Sequence, residues 1–169
     1  TNFYSRQRPK CASYVDAMLG GLLRDSRIRT VLLCANFHQY QGPEQVELTN
    51  GYTDVVEKLR ASGKRVIAVY PIPVYAFDPL TVLGLRRQFH LPIDDVGMGR
   101  AEFENSTQQA RTFLDSLYRR GLVERFLPEP LLCGGQRCRV YTATTGPLYF
   151  NQSHLSLQGV RTLAATLPL

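Results

Sequence analysis

Residues 148–159 read Leu-Tyr-Phe-Asn-Gln-Ser-His-Leu-Ser-Leu-Gln-Gly, and this stretch organises the rest of the chain. Its apolar pair, Tyr149 and Phe150, is typical of the end of a short strand. Ser156 stands where a helix N-cap belongs, because apolar residues recur after it with helical spacing: Leu157, Val160, Leu163, Ala164 and Leu167. His154 is therefore predicted to lie in a tight loop between a strand and a helix, where rigid neighbours aim an exposed imidazole. Taken alone, the same histidine is also compatible with an ordinary surface position.

Strand-like and helix-like segments alternate upstream of this stretch. Residues 28–35 and 65–70 have the composition of strands buried on both faces of a parallel sheet, and residues 123–127 form a third predicted strand. Helical spacing predicts helices over residues 11–25, 51–62, 79–89 and 100–120, with Gly63 and Gly121 as stops. We expect a turn-rich connection at residues 91–99 and a further strand near residues 139–141. This alternation predicts an α/β fold with a parallel sheet, in one domain spanning residues 1–169.

Composition excludes several classes of function. The net charge of +6 comes mostly from arginines that are scattered along the chain. Because no Lys/Arg block is interleaved with aromatic residues, no nucleic-acid partner is expected. No run of eighteen apolar residues exists, so no segment of this sequence is predicted to span a membrane. The excess of arginine indicates solvated surfaces or attraction to an anionic partner, such as lipid headgroups or an acidic glycan.

Two of the four cysteines flank a Gly-Gly turn in the segment Cys133–Cys138. Such a turn can close a small disulfide loop, which would indicate an oxidising compartment. A zinc site would need two more Cys or His residues nearby, and since there are none, no metal is expected. Cys34 lies inside an apolar run and is predicted to be a buried free thiol. Cys11 has no evident partner.

The pattern Asn151-x-x-His154-Leu155-Ser156-x-x-Gly159 resembles the last block of the SGNH (GDSL-type) hydrolases. It is most similar to the variant fused to acyltransferase family three membrane proteins, which O-acylate bacterial surface sugars. The family block reads Asp-x-x-His-Leu-Ser-x-x-Gly, in which the histidine is the general base and the aspartate orients it. The resemblance therefore implies that His154 is the base and Asn151 its partner. An amide can hydrogen-bond a ring nitrogen, but it cannot stabilise the imidazolium that forms in the transition state.

Other segments resemble the same family in the same order along the chain. They are residues 31–37, which end in Asn36 and an aromatic residue, then residues 69–73, residues 77–79 and the disulfide loop. The resemblance implies a three-layer, flavodoxin-like SGNH sandwich. Asn36 ends a predicted strand at the edge where open α/β sheets place ligands, so it is a candidate oxyanion donor; a strand-ending turn residue is the alternative. His38 and His90 are expected to be surface residues.

The sequence contains no Gly-Asp-Ser segment, the family's source of the nucleophile. By resemblance, the first strand and helix of the fold are also missing. We therefore expect an N-terminally truncated domain, inactive alone, whose serine lies upstream. The resemblance implies that the counterpart of Cys11 pairs with a cysteine further upstream, which this sequence lacks.

The implied function is that of an extracytoplasmic SGNH domain that transfers or hydrolyses an acetyl (acyl) ester on a surface glycan such as lipopolysaccharide. It needs no cofactor. Its membrane acyltransferase partner lies in the same parent chain, which attaches it to the inner membrane on the periplasmic or extracellular side. The alternative is a catalytically inactive glycan-binding or docking module on the same scaffold.

Overall fold

The chain is a mixed α/β protein, seen in a computed structural model that describes residues 9–39 and 42–168. Its helices are α1 (Pro9–Arg24), α2 (Pro43–Ala61), α3 (Pro79–Gln88), α4 (Arg100–Arg119), α5 (Glu129–Leu132) and α6 (Leu157–Ala164). Its strands are β1 (Thr30–Leu33), β2 (Arg65–Val69), β3 (Gly97–Gly99), β4 (Glu124–Phe126), β5 (Cys133–Gly134), β6 (Arg137–Arg139), β7 (Tyr141–Thr142) and β8 (Gly146–Pro147). The described residues fall into two compact units. The first unit runs up to Tyr70 and includes Gln109–Phe126; the second comprises Pro71–Gln108 and the chain from Leu127 on.

A parallel sheet with the strand order β1-β2-β4 lies at the centre of the first unit. In its two ladders, Val31 is paired with Val66 and Ile67 with Glu124. Arg65 and Glu124 join β2 to β4 through two hydrogen bonds of 2.6 Å each. These bonds from Arg65 lower the pKa of the Glu124 carboxyl. The parallel sheet and its helices confirm the predicted fold class.

The core of the first unit combines fully buried aliphatic residues with a cluster of three aromatic rings. Val56, Leu59 and Leu114 are fully buried. The rings of Phe37, Tyr52 and Phe113 pack against one another with centroids 5.7–6.0 Å apart. The Tyr52 hydroxyl also donates a hydrogen bond of 3.3 Å to the Leu33 carbonyl at the end of β1. The segment after β1, with Phe37 in a 3-10 turn (Phe37–Gln39), is therefore held by packing.

The strands of the second unit are short and antiparallel, in one sheet of three strands and one of two. β6 pairs with both β3 and β5, and β7 pairs with β8. The predicted disulfide is present: it joins Cys133 and Cys138, which also face each other in the β5–β6 ladder. At Gly97 a Cβ atom would lie 2.0 Å from the Cys138 carbonyl oxygen, so only glycine allows β3 to approach β6 this closely.

Most predicted elements are confirmed to within a few residues, including the glycine after α2, Gly63, whose φ is 77°. The helix predicted at residues 51–62 begins eight residues earlier, at Pro43. Proline at the first helical position, followed by Glu44, is a helix-start signal that the apolar spacing did not include.

Three strand predictions were wrong in detail. The strand predicted near residues 139–141 is two antiparallel pieces, β6 and β7, outside the parallel sheet. The connection predicted at residues 91–99 contains β3. β1 is not buried on both faces, because its Leu32 side chain is 36% exposed while Val31 packs into the core. Among the described helices, none is both long and apolar enough to cross a membrane.

Candidate functional site

The loop that carries His154 starts from a buried anchor. Leu148 and Tyr149 are fully buried, and Tyr149 forms an isolated antiparallel bridge with Leu155 rather than the predicted strand end. The Phe150 backbone N–H donates to the His154 carbonyl at 2.8 Å. The Leu148 N–H donates to the Val140 carbonyl, also at 2.8 Å. These bonds close the loop at its base and leave His154 exposed at its end.

The other end of the loop is fixed by the predicted helix N-cap, Ser156. Its Oγ accepts a hydrogen bond from the Gly159 N–H at 3.1 Å and donates one to the Pro147 carbonyl at 2.6 Å. Its own N–H donates to the Leu148 carbonyl at 2.9 Å. A Cβ atom at Gly159 would lie 2.2 Å from that same carbonyl oxygen. The start of α6 therefore packs directly on the backbone that enters the loop, which explains both the serine and the glycine of this stretch.

Asn151 contacts His154 in the arrangement that orients an imidazole. Its Oδ1 accepts hydrogen bonds from the backbone N–H groups of Ser153 and His154, at 3.1 and 2.9 Å. Because both of these backbone groups are donors, the side-chain atom that faces them is the amide oxygen and not the amide nitrogen. The same Oδ1 lies 2.9 Å from Nδ1 of the His154 ring. Because a carbonyl oxygen can only accept, Nδ1 must carry the proton, and the lone pair of the neutral ring then resides on Nε2.

Ser153 gives the ring a second oxygen contact, which the sequence did not predict. Its Oγ lies 3.3 Å from Nδ1 of His154. A hydroxyl can either donate or accept, so the Ser153 contact is compatible with the Nδ1–H form that Asn151 favours. The two oxygens are neutral, and neither supplies the negative charge that an aspartate would. The arrangement can therefore orient a base but stabilises an imidazolium only weakly.

Asn36 belongs to the first unit, whereas Asn151 and His154 belong to the second. Asn36 is exposed and lies beyond the end of β1 at Leu33, whereas the prediction placed it at the end of the strand. Its Oδ1 accepts a hydrogen bond of 3.2 Å from the His38 N–H, which is the turn-forming contact that we considered as the alternative role. This bond uses the oxygen and leaves the amide nitrogen available as a donor. Turn formation and donation to an anion are therefore compatible at this residue.

The remaining cysteines and histidines are simpler. Cys34 is exposed, so the prediction of a buried thiol was wrong; partial desolvation by the protein around it still raises the pKa of the thiol. The side chain of Cys11 lies outside the described residues. His38 and His90 are exposed, as expected. Across residues 9–39 and 42–168, no group of three or more His, Cys, Asp or Glu side chains is placed to hold a metal ion.

Comparisons with known proteins identify the family and a similar fold. A family model described as "SGNH domain (fused to AT3 domains)" matches residues 2–168. The fold is similar to that of the periplasmic domain of a lipopolysaccharide acetyltransferase from Salmonella ser. Paratyphi A, with a TM-score of 0.65 and 13% sequence identity. That match covers 89% of this chain and 59% of the other. A search of curated proteins found no match. Since one family model spans nearly the whole sequence, the chain belongs to the family of SGNH domains that are fused to AT3 domains.

Proposed function

We propose that this chain is the SGNH part of an enzyme that transfers or hydrolyses an acyl ester, above all an acetyl ester, on a surface glycan, with His154 as general base. The observation that carries the proposal is the contact between Asn151 Oδ1 and Nδ1 of His154. It leaves Nε2 as the nitrogen that can take a proton, as in a Ser-His hydrolase. Family membership supports this class of reaction. The two units are proposed to work together as one domain.

The proposed reaction has two halves. In the first, a serine hydroxyl attacks the ester carbonyl carbon while Nε2 of His154 takes the hydroxyl proton. The tetrahedral intermediate then expels the first alcohol, which receives that proton, and the acyl group remains on the serine. In the second half, a sugar hydroxyl or water attacks the acyl-serine with His154 again as base. Collapse of that intermediate returns the proton to the serine and releases the new ester or the acid.

The serine of this scheme is proposed to lie upstream of Thr1 in the parent chain. The sequence holds no Gly-Asp-Ser segment, and the described serine that touches the ring, Ser153, does so at Nδ1 rather than at Nε2. Asn36 is proposed as an oxyanion donor through its amide nitrogen, because its oxygen is already occupied by the His38 N–H. No cofactor is needed for any of these steps.

Partners and location belong to the same proposal. The partner would be a membrane acyltransferase domain in the same parent chain, as the family description indicates. That chain would attach the domain to the inner membrane on its periplasmic or extracellular side. The Cys133–Cys138 disulfide supports an oxidising compartment. The similar Salmonella structure is itself described as a periplasmic domain of a lipopolysaccharide acetyltransferase.

A second candidate, a glycan-binding or docking module without catalysis, is favoured by one observation. Asn151 is neutral, so the imidazolium in the transition state would lack a counter-charge. The presence or absence of a Gly-Asp-Ser segment in the gene upstream of Thr1 separates the two candidates.

The test uses the full-length parent and acetyl-ester hydrolysis measured against pH. His154→Ala should lower turnover by about 10²- to 10⁴-fold, the usual contribution of a general base. Asn151→Asp keeps the acceptor geometry and adds a charge, so we expect a gain of about tenfold. The acid limb of its pH profile should move to higher pH, because an anion beside the ring favours the imidazolium.

His90→Asn, at an exposed histidine of the same unit, is the matched control and should have no effect. Unchanged turnover in His154→Ala would refute the proposed role of the base. An inactive parent that still binds acetylated glycan would support the docking module instead.

A further inference from the structure

Tyr75 lies in the segment between β2 and α3, and it is 3% exposed. Both of its hydrogen-bonding donors are used within the second unit. Its backbone N–H donates to the Gln152 carbonyl at 2.9 Å. Its hydroxyl donates to the Cys138 carbonyl at 3.2 Å. One residue therefore contacts the backbone of the His154 loop and the backbone of the disulfide hairpin.

The Tyr75 ring also supports the loop. It packs edge-on against the ring of Tyr149, with centroids 4.9 Å apart and planes at 90°. Tyr149 is the buried residue from which the loop starts. Its hydroxyl is buried beside Tyr75 and makes no hydrogen bond of standard geometry in the described part of the chain. Burial raises the pKa of Tyr149 well above its ordinary value. In this aromatic pair, the Tyr75 hydroxyl is the group that donates to the backbone of the disulfide hairpin.

One loop contact of Tyr75, the hydrogen bond to Gln152, lies next to the residues that hold the imidazole. Gln152 stands between Asn151, whose Oδ1 contacts Nδ1, and Ser153, whose Oγ contacts it as well. A bond to the Gln152 carbonyl restrains the peptide that joins those two side chains. If the Gln152 peptide turned, both oxygens would move relative to the ring.

The backbone that accepts the hydrogen bond from the Tyr75 hydroxyl is also constrained. Cys138 is fully buried, is bonded to Cys133, and pairs with Met98 of β3. Its carbonyl oxygen faces Gly97 so closely that no side chain would fit there. The acceptor for the Tyr75 hydroxyl therefore sits on backbone that is fixed by a covalent bridge and by two strands.

We propose that Tyr75 is a positioning residue for His154. Tyr75 ties the loop that carries the imidazole to the disulfide hairpin. Its hydrogen bonds go to backbone carbonyls rather than to the imidazole, and it acts by holding the Gln152 peptide and the Tyr149 anchor in place. Opening the disulfide would then loosen the His154 loop through the Tyr75 hydroxyl. The inference rests on the proposed role of His154, but its test reads the ring and the loop rather than activity.

The first measurement is the tautomer of His154 by nitrogen–proton correlation NMR on this 169-residue chain. Wild type should show the Nδ1–H form, because Asn151 accepts that proton. Tyr75→Phe keeps the ring and removes only the hydroxyl. We expect it to raise the open population of the loop about fivefold, the factor that corresponds to one neutral hydrogen bond. The Ser153 and His154 amides should exchange faster by that factor, and part of the ring should shift to the Nε2–H form. Tyr141→Phe, at a half-buried tyrosine of the same unit, is the matched control and should change neither readout.

The second measurement tests the link to the hairpin. Replacing both Cys133 and Cys138 by serine should speed exchange of the His154 amide in the wild-type background. The same replacement should have a much smaller effect in the Tyr75→Phe background, because the hydrogen bond from Tyr75 to the hairpin is already absent there. Equal effects in both backgrounds would overturn the proposal. So would an unchanged tautomer and unchanged loop exchange in Tyr75→Phe. Faster exchange at every amide of the second unit would point to general destabilisation and would also overturn it. Failure of the proposed function would appear separately, as unchanged turnover in His154→Ala.

Discussion

Two loops of this molecule are held by different means. In the first unit, the segment after β1 is fixed mainly by packing of Phe37 against the rings of Tyr52 and Phe113, with one turn-forming hydrogen bond from the His38 N–H to Asn36 Oδ1. In the second unit, the loop around His154 is fixed by hydrogen bonds that its backbone N–H groups donate to the Asn151 side-chain oxygen, and by backbone contacts at both ends. An apolar anchor tolerates small shifts, whereas hydrogen bonds fix direction. A base that must present one particular ring nitrogen needs the second kind of support.

The units also differ in the source of their order. The first has a continuous parallel sheet with an aliphatic core, so its stability should follow buried apolar area. The second has strands of two or three residues, a covalent bridge and a helix capped by Ser156. We therefore expect substitutions in the first unit to lower its stability mainly by creating cavities. Substitutions in the second unit should do so mainly by removing hydrogen bonds, the disulfide or the helix cap.

Leu59→Ala should have the largest effect. Leu59 is fully buried in α2, so removing its side chain leaves a cavity and should cost about 3 kcal/mol of unfolding free energy. Denaturant unfolding measures this loss, and amide exchange should accelerate in β2 but not in the His154 loop. Val46→Ala, at a 58% exposed position of the same helix, should be nearly neutral. Equal acceleration in both units would show that they unfold together and would break the comparison.

Removing the disulfide should rank second. For a bridge with a sequence separation of 5, the chain-entropy relation gives a loss of about 2 kcal/mol when Cys133 and Cys138 are both replaced by serine. Amide exchange should accelerate in β5 and β6, with the strands of the first unit unaffected. Cys34→Ser, at the exposed free thiol, is the control. A loss that appeared in β1 and β2 instead would contradict the assignment of the bridge to the second unit.

Ser156→Ala should cost about 1 kcal/mol, because it removes an N-cap acceptor and the hydroxyl that donates to Pro147. The Gly159 amide should lose its protection first. Ser156→Thr retains the hydroxyl and should recover most of the loss. If alanine and threonine behaved alike, the cap would not be what fixes the end of the loop.

The smallest effect should be the acid response of the Arg65–Glu124 pair. Its hydrogen bonds lower the pKa of Glu124 from its ordinary value of 4.5. The pair therefore stabilises the folded state fully at pH values above 4.5, and this stabilisation is lost as the pH falls through the lowered pKa that Glu124 has in the folded state. Both side chains are exposed, so the loss should be slight. Unfolding of wild type and Glu124→Gln between pH 6 and pH 3, at about 0.1 M salt, should show the smaller acid sensitivity in the variant. Identical pH curves would show that this pair does not contribute.

The helices were the most predictable part of the fold, and the reasons are local. The apolar spacing of residues 79–89 and the N-cap at Asp78 lie within one short stretch, and α3 begins and ends nearly where expected. The short strands were less predictable, because β3 consists of Gly-Met-Gly and has no strand-forming tendency of its own. It is a strand only because β6 lies beside it. The exposure of Cys34 was missed for a related reason, since an apolar run does not reveal which of its faces is covered.

In the candidate site, the sequence alone determined which residues could carry the proposed chemistry: a histidine, an amide three residues before it, a serine cap and a glycine, all within twelve residues of chain. Spacing is enough there because a tight loop leaves little freedom between neighbours. The sequence could not decide which nitrogen of His154 carries the proton, nor that Ser153 touches the same ring, because those depend on the direction of side chains. It gave no sign of Tyr75, which is far from the loop along the chain and adjacent to it in space. Only the tertiary structure brings such residues together, since hydrogen bonds between distant segments leave no periodic mark in a sequence.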